Sequence, residues 1–236
     1  MRGGTLQQLW ICGASWGYKE DLSDNSFSNF HNIVSLKKLS ISQCRVLGPS
    51  GFNSICWLRR LAWLRLNEAC NLQPEDIVTA MEQSELHCLT YLDLSHCYPL
   101  DDVGLLAVAR ACPSQTSVRL GRNATNDNQL LFVHSLNRCY NVTCVGLGHL
   151  GHHCCNLVSL RLGMRTIEDD FLALPTLVPK LKSLEVVPDT GDVEELRRKN
   201  PSLVVMEWCG DRAGLELADS AEYFCDMITK SPTLGI

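Results

Sequence analysis

The sequence repeats itself, and this repetition restricts the possible fold more than any other feature. The pattern L-x-x-L-x-L-x-x-C/N is complete at Leu36–Cys44 and at Leu89–Cys97, and a third copy that begins at Leu61 has its cysteine displaced by one position, at Cys70. Two further copies without the cysteine begin at Leu157 and Leu181, and weaker copies begin at Leu6, Gln115, Leu131 and Leu203. Most of these starts are 22 to 30 residues apart. Such a period indicates a solenoid of small stacked units.

A second pattern follows the leucine core and predicts one helix in each unit. Leu100–Pro113 carries this pattern, and Val142–Leu157 repeats it. Asp101 or Asp102 is placed to cap the helix N-terminus by accepting backbone N–H bonds. Apolar residues three to four positions apart then cover one helix face, and a small cysteine followed by proline ends the helix. Each unit is therefore a short strand and a helix, and neither buries its apolar face without the neighbouring units.

Residues 36–210 resemble the cysteine-containing class of leucine-rich repeats, best known from F-box/leucine-rich-repeat proteins, the substrate receptors of cullin–RING (SCF-type) ubiquitin ligases. We therefore expect an α/β fold, a right-handed leucine-rich-repeat solenoid (horseshoe) with a parallel sheet on the concave face and helices on the convex face. No F-box is recognised, because repeat-like sequence begins by Leu6. The resemblance implies substrate recognition for an SCF-type ligase, reached through a region absent here. A free-standing scaffold without a ubiquitin link stays open as the alternative.

Three regions are expected along the chain. Residues 1–35 form an irregular N-terminal first repeat, residues 36–210 form the leucine-rich repeats, and residues 211–236 form a C-terminal cap or tail. The step from Gln115 to Leu131 is only 16 residues. One repeat is therefore eroded there, and we predict a loop over residues 121–130, which are too few and too polar for a helix.

Composition indicates the cellular compartment and excludes some classes of partner. The 13 cysteines are an odd number, and the opening residues have no signal-peptide pattern, so we expect reduced thiols in a cytoplasmic or nuclear protein. Cys44, Cys97, Cys112 and Cys154 are predicted to be buried, reduced and unligated. A net charge of −5 with a pI near 5.8 argues against a nucleic-acid partner. The apolar runs are too short for a membrane span.

The sequence offers little support for a metal site or for catalysis. His149, His152, His153, Cys154 and Cys155 lie within seven residues, but repeat position accounts for both cysteines, so we predict no metal. Phosphate-loop, nucleophile-elbow and zincin motifs are missing from the sequence. We therefore expect no cofactor, no catalytic residue and no enzymatic activity.

The outward-facing strand positions predict where a protein binds. Because strand side chains alternate, residues between the pattern leucines face outward. The central outward column reads Ser40, Arg65, Asp93, Arg119, Ser135, Arg161, Glu185 and Glu207, and the column before it reads Lys38, Trp63, Tyr91, Ser117, Val133, Ser159, Ser183 and Val205. Aromatic residues beside arginines are typical of interface hot spots, although any parallel sheet exposes some of both. The predicted protein-binding residues are Trp63, Arg65, Tyr91, Asp93, Arg119 and Arg161.

Overall fold

The structure is a computed structural model, and it describes residues 6–12, 23–42, 44–69, 71–95, 97, 100–120, 141–162, 171–186 and 192–207. The described strands are β1 (Gln8–Cys12), β2 (Lys38–Ser42), β3 (Trp63–Leu66), β4 (Tyr91–Asp93), β5 (Ser117–Leu120), β6 (Ser159–Leu162), β7 (Ser183–Val186) and β8 (Val204–Glu207). The described α-helices are α1 (Asp24–Phe27), α2 (Pro49–Cys56), α3 (Pro74–Glu82), α4 (Asp102–Ala111), α5 (Cys144–His153), α6 (Leu174–Leu177) and α7 (Asp192–Lys199), and 3₁₀ turns cover Phe30–Asn32 and Phe171–Ala173.

The described strands form one parallel sheet whose strand order follows the chain. One row of aligned residues crosses the sheet from β2 to β7 and consists of Leu39, Leu64, Leu92, Val118, Leu160 and Leu184. All six side chains are buried, because alternation turns them toward the helices. Each buried side chain contributes about 2 kcal/mol to stability. The predicted right-handed α/β leucine-rich-repeat solenoid, with its sheet on the concave face and its helices on the convex face, is confirmed.

Carboxylates on the convex side join consecutive units. Asp101 caps its own helix α4, because its Oδ1 accepts the Gly104 N–H at 2.7 Å. Asp102 instead serves the next unit, where its carboxylate accepts the N–H groups of Thr143 at 2.7 Å and Gly146 at 3.1 Å. Asp24 on α1 caps α2 in the same way. The two aspartates that the sequence offers as alternative caps therefore both act, one within a unit and one between units.

The repeat cysteines close the turns where helices and strands end. The predicted burial of Cys44, Cys97, Cys112 and Cys154 is confirmed. Cys112 and Cys154 follow the last residues of α4 and α5. The Cys154 thiol donates toward the carbonyl oxygen of Cys112 at 3.5 Å, which ties α5 to the unit before it. That these four thiols are reduced and unligated stays a prediction.

The weak copy at Leu131 predicts a strand between β5 and β6, and its residues lie outside the described segments. Strand β5 pairs directly with β6, with Arg119 opposite Arg161. The place predicted for a further strand between β5 and β6 is therefore wrong, because these two described strands pair with each other. The loop predicted over residues 121–130 and the cap or tail predicted over residues 211–236 lie outside the described residues.

Within the described segments, no helix is both long enough and apolar enough to cross a lipid bilayer.

Candidate functional site

The six predicted binding residues lie together on four adjacent strands. Strand β3 carries Trp63 and Arg65, and β4 carries Tyr91 and Asp93 directly opposite them. Strands β5 and β6 continue the central column with Arg119 and Arg161. Because neighbouring strands are about 4.8 Å apart, the group spans about 14 Å of the concave face.

Two aromatic rings and a guanidinium group form a stack across this face. The rings of Trp63 and Tyr91 are 4.8 Å apart and inclined by 6°. The guanidinium carbon of Arg119 lies 5.4 Å from the centre of the Tyr91 ring, within the range of a cation–π interaction. Tyr91 is only 7% exposed, since its neighbours cover it on both sides. Trp63 and Arg119 are half-buried, so they form the accessible surface of the stack.

The Tyr91 phenol is held in its protonated form. Burial raises the pKa of Tyr91 far above its ordinary value, and the nearby negative charge of Asp93 raises it further. The Tyr91 hydroxyl therefore remains a hydrogen-bond donor throughout the physiological pH range.

Asp93 is the most buried charged group of the site. Its side chain is inaccessible to solvent. Its Oδ1 accepts the Ser95 N–H at 3.0 Å, and its Oδ2 lies 3.5 Å from the Nε of Arg65 in an ion pair. A buried carboxylate needs such partners, because an unpaired charge is costly to bury. Asp93 thus positions Arg65 and is not itself available to a partner.

The three arginines of the central column have different surroundings. Arg65 pairs with Asp93, and Arg161 pairs with Glu185 on β7. Arg119 lies between them in the register, and among the described residues it has no carboxylate partner. The concave face therefore presents one cation that is oriented by an aromatic ring and is not neutralised by the described part of the fold.

In the outward column next to the arginines, the side chains become smaller from β3 to β7. It begins at the aromatic pair on β3 and β4 and continues as Ser117, Ser159 and Ser183. These hydroxymethyl groups are much shorter than the rings before them. A partner side chain that passes the aromatic pair therefore meets small polar groups beside Arg119 and Arg161.

Several column positions differ from the prediction. Ser135 and Val133 were expected between β5 and β6, which in fact pair directly, and these two residues lie outside the described segments. On β8, Met206 is aligned with Glu185, and Val205 is aligned with the inward Leu184, so the predicted positions of Glu207 and Val205 are wrong by one residue. Val204 and Met206 occupy the outward places instead.

Sequence reasoning also missed Trp10. This residue is aligned with Ser40 at the β1 end of the central column, and its side chain is 54% exposed. The weak copy at Leu6 contained the signal, because it places Trp10 between two inward positions, Leu9 and Ile11. An exposed tryptophan at that edge extends the concave face by two strands beyond Trp63.

The histidine-rich end of α5 shows no built metal site. No group of three His, Cys, Asp or Glu side chains within the described segments could hold a metal ion. The pKa of His153 is lowered by desolvation and by the neighbouring charges of His152, Arg110 and His149. Burial raises the pKa of the Cys154 thiol to about 12, so it is protonated at neutral pH and a poor nucleophile. The absence of a metal and of catalysis stays a prediction.

One similar solved structure, with a TM-score above 0.5, supports the fold. No protein-family model and no curated protein matches the sequence. Among solved structures, the chain is similar to one in the crystal structure of the yeast Rad7 and Elc1 complex, with 21% identity and a TM-score of 0.59 over 80% of this chain and 45% of that one. It is also similar to an internalin from Listeria monocytogenes, with 15% identity and a TM-score of 0.46 over 86% of this chain and 47% of that one. This chain therefore spans less than half of either protein.

Proposed function

We propose that this chain is a protein-binding leucine-rich-repeat module that holds a partner on its concave face and acts by binding and positioning, without catalysis. The observation that carries the proposal is the stack of Trp63, Tyr91 and Arg119, whose guanidinium group has no carboxylate partner among the described residues. Aromatic residues and arginine dominate the energetics of protein interfaces. The site thus combines an apolar anchor with one available cation.

Under this proposal, some of the binding residues contact the partner and others position the contacting groups. Trp63 and Arg119 contact the partner, since both are half-buried and face solvent. Arg161 supplies further positive charge, reduced by its pair with Glu185. Tyr91 and Asp93 are buried, so they position the contacting groups from below. This division predicts different consequences for mutations at neighbouring positions.

The partner supplies an acidic side chain opposite Arg119. A guanidinium group binds a carboxylate through paired hydrogen bonds, and such charge-assisted bonds are stronger than neutral ones. Stacking on Tyr91 already restricts the orientation of Arg119, so less conformational entropy is lost when the partner binds. An acidic residue near an apolar one is therefore the local feature that this face selects.

We further infer that the module recognises substrates for an SCF-type ubiquitin ligase, in the cytoplasm or the nucleus. The resemblance of residues 36–210 to the cysteine-containing repeats of F-box/leucine-rich-repeat proteins supports this assignment. The similar chain belongs to the crystal structure of the Rad7 and Elc1 complex, which agrees with a role in protein assembly. A free-standing repeat scaffold is the second candidate, since the same concave face serves it equally well.

Quantitative affinity purification from cells tests both parts of the proposal. The wild-type chain is compared with Arg119→Ala and with the control Arg198→Ala, which removes an exposed arginine from α7. We expect a set of proteins that is lost with Arg119→Ala and retained with Arg198→Ala. Equal recovery by all three proteins would contradict the concave site. Cullin and its adaptor among the recovered proteins would favour the ligase role.

A further inference from the structure

A second groove lies on the helical side of the solenoid, away from the concave sheet. It runs between α1 with its following 3₁₀ turn and helix α2, and its volume is about 670 Å³. This volume falls within the range of about 300–1,000 Å³ that binding pockets occupy. The groove has room for a few side chains but is too small for a whole helix.

The apolar part of the groove is unusually exposed. Val34 is 64% exposed and Trp57 is 41% exposed, and both line the groove. Trp57 is the C-cap residue directly after α2, a helix whose inner face is packed in the core. A large aromatic side chain left in water at a concave place is typical of an interaction surface.

The charged part of the groove is positive. Arg59 and Arg60 line it together with His31, and no carboxylate of the described residues is among its lining groups. Arg59 contacts Glu85 at 3.4 Å, but the Arg59 side chain is largely exposed and the pair is weak. Arg60 has no ion pair within the described residues. This local excess of positive charge contrasts with the net charge of −5 of the chain.

One wall of the groove is fixed by hydrogen bonds. The His31 N–H donates to the Ser54 Oγ at 3.0 Å, which joins the 3₁₀ turn to α2. The His31 Nδ1 lies 3.1 Å from the carbonyl oxygen of Ser28 and 3.1 Å from the Ser54 Oγ, so the ring contacts hydrogen-bonding groups of both segments. These contacts hold His31 in the groove wall without a ligand. A preformed site loses little entropy on binding.

We propose that this groove binds an acidic peptide segment of a partner protein. An apolar side chain of the peptide packs on Trp57 and Val34, and its flanking carboxylates pair with Arg60 and Arg59. Charge complementarity favours this occupant, since every titratable group that lines the groove is basic. A nucleic acid is disfavoured by the acidic pI near 5.8 and by the exposed apolar surface. The groove and the concave face are separate, so this site does not depend on the function proposed above.

A fluorescein-labelled heptapeptide tests the proposal by fluorescence anisotropy. The probe has a central Phe-Leu pair flanked by aspartate and glutamate. One control peptide replaces every acid with its amide, and another replaces the Phe-Leu pair with two serines. We expect the probe to bind the wild-type protein, and both control peptides to bind it about tenfold more weakly or worse. Failure of the probe to bind at about 1 mM, or equal binding of either control peptide, would overturn the proposal.

Variants then locate the site. Arg60→Glu and Trp57→Ala should each weaken the probe about tenfold or more, whereas the charge-matched control Arg198→Glu on α7 should not. Because these are exposed positions, thermal unfolding should stay close to that of the wild type. Arg119→Ala should leave probe binding unchanged, which separates this groove from the concave site. Loss of binding in Arg119→Ala but not in Arg60→Glu, or displacement of the probe by a short oligothymidylate, would refute the groove as a peptide site.

Discussion

The convex and concave sides of this solenoid use the same kinds of side chain for different purposes. On the convex side, the Asp102 carboxylate of α4 accepts backbone N–H groups at the start of α5, and the Cys154 thiol at the end of α5 donates back to the preceding unit. On the concave side, Asp93 and Glu185 pair with arginines, and Arg119 is left without a carboxylate among the described residues. On the convex side, polar side chains hydrogen-bond to the backbone of a neighbouring unit and so hold the units together. On the concave side, the carboxylates pair with two of the three arginines and leave Arg119 for a partner.

We expect the largest effect in the alkylation rates of two adjacent thiols. Cys154 is buried at the end of α5, while Cys155 is exposed. Labelling of Cys154 requires local opening, so at about pH 8 we expect Cys155 to react about 10³-fold faster. The measurement is the rate of alkylation in the variants Cys154→Ser and Cys155→Ser. Similar rates for the two thiols would show that the convex side is not closed at this point.

Two buried thiols, Cys112 and Cys154, determine whether stability rises or falls at high pH. Burial raises the pKa of Cys112 and of Cys154 from 9.0 to about 12. The unfolded chain therefore loses these protons first, and stability should fall as the pH rises from about 9 to about 12. Replacing both thiols with alanine should flatten this part of the pH profile in urea titrations. An unchanged slope would show that they do not remain protonated in the fold.

Two glycines of α5 test how tightly the convex units approach each other. A Cβ added at Gly151 would collide with the backbone carbonyl of Leu177, whereas at Gly148 the nearest atom is the Leu177 Cδ2 at 3.6 Å. Gly151→Ala should therefore cost about 3 kcal/mol. Gly148→Ala should be neutral or stabilising by about 0.5–1 kcal/mol, because alanine favours a helix. Urea unfolding of both variants measures the difference, and equal stabilities would refute the close helix contact.

Tyr91 should behave as a core residue although it lies on the sheet's outer face. Its ring is covered by Trp63 and Arg119, so Tyr91→Ala should lower the free energy of unfolding by about 2–3 kcal/mol. Tyr91→Phe keeps the stacked ring and should lose far less. A Tyr91→Ala variant as stable as wild type would mean that the stack is an open surface and that the two sides differ less than the geometry indicates.

Replacing Asp102 should have an intermediate effect on the free energy of unfolding. Asp102→Ala removes the acceptor for the N–H groups of Thr143 and Gly146, and such caps are worth about 1–2 kcal/mol. Asp102→Asn keeps one acceptor oxygen and should retain part of this stability. Chemical denaturation of the two variants provides the comparison. An alanine variant without any loss would show that the cap between units is replaced by water.

The sequence predicted the fold well wherever its apolar residues alternate with polar ones. In β2, β3 and β4 the pattern leucines identify the inward face, and the register follows directly. On β8 the pattern fails, because Val204, Val205 and Met206 are all apolar and a slip of one residue exchanges the faces without leaving a sequence signal. The place predicted for the Leu131 copy, between β5 and β6, is wrong for a related reason: leucine spacing indicates that a segment suits a strand, but it does not indicate where that strand would pair.

The candidate site was only partly predictable. Alternation correctly assigns Trp63, Tyr91 and Arg119 to one face, since this depends on local geometry. The covering of Tyr91 and the burial of Asp93 depend on side chains from other strands, so no local pattern carries them. The groove at Trp57 was missed because it forms between two helical segments that are more than 20 residues apart in the chain.

Arg119 should have the smallest effect on stability, and this result would separate it from its neighbour Arg65. Arg119→Ala removes a half-buried side chain that has a cation–π contact but no ion pair among the described residues, so the free energy of unfolding should fall by no more than about 1 kcal/mol. Arg65→Ala leaves the buried Asp93 with only the Ser95 N–H and should cost about 2 kcal/mol. Urea unfolding checks both values, and titration with a captured partner checks binding. A stable Arg119→Ala protein that loses its partner would place recognition at Arg119. An Arg119→Ala protein that is destabilised as much as Arg65→Ala would mean that this arginine belongs to the fold, and that the concave face has no cation to offer.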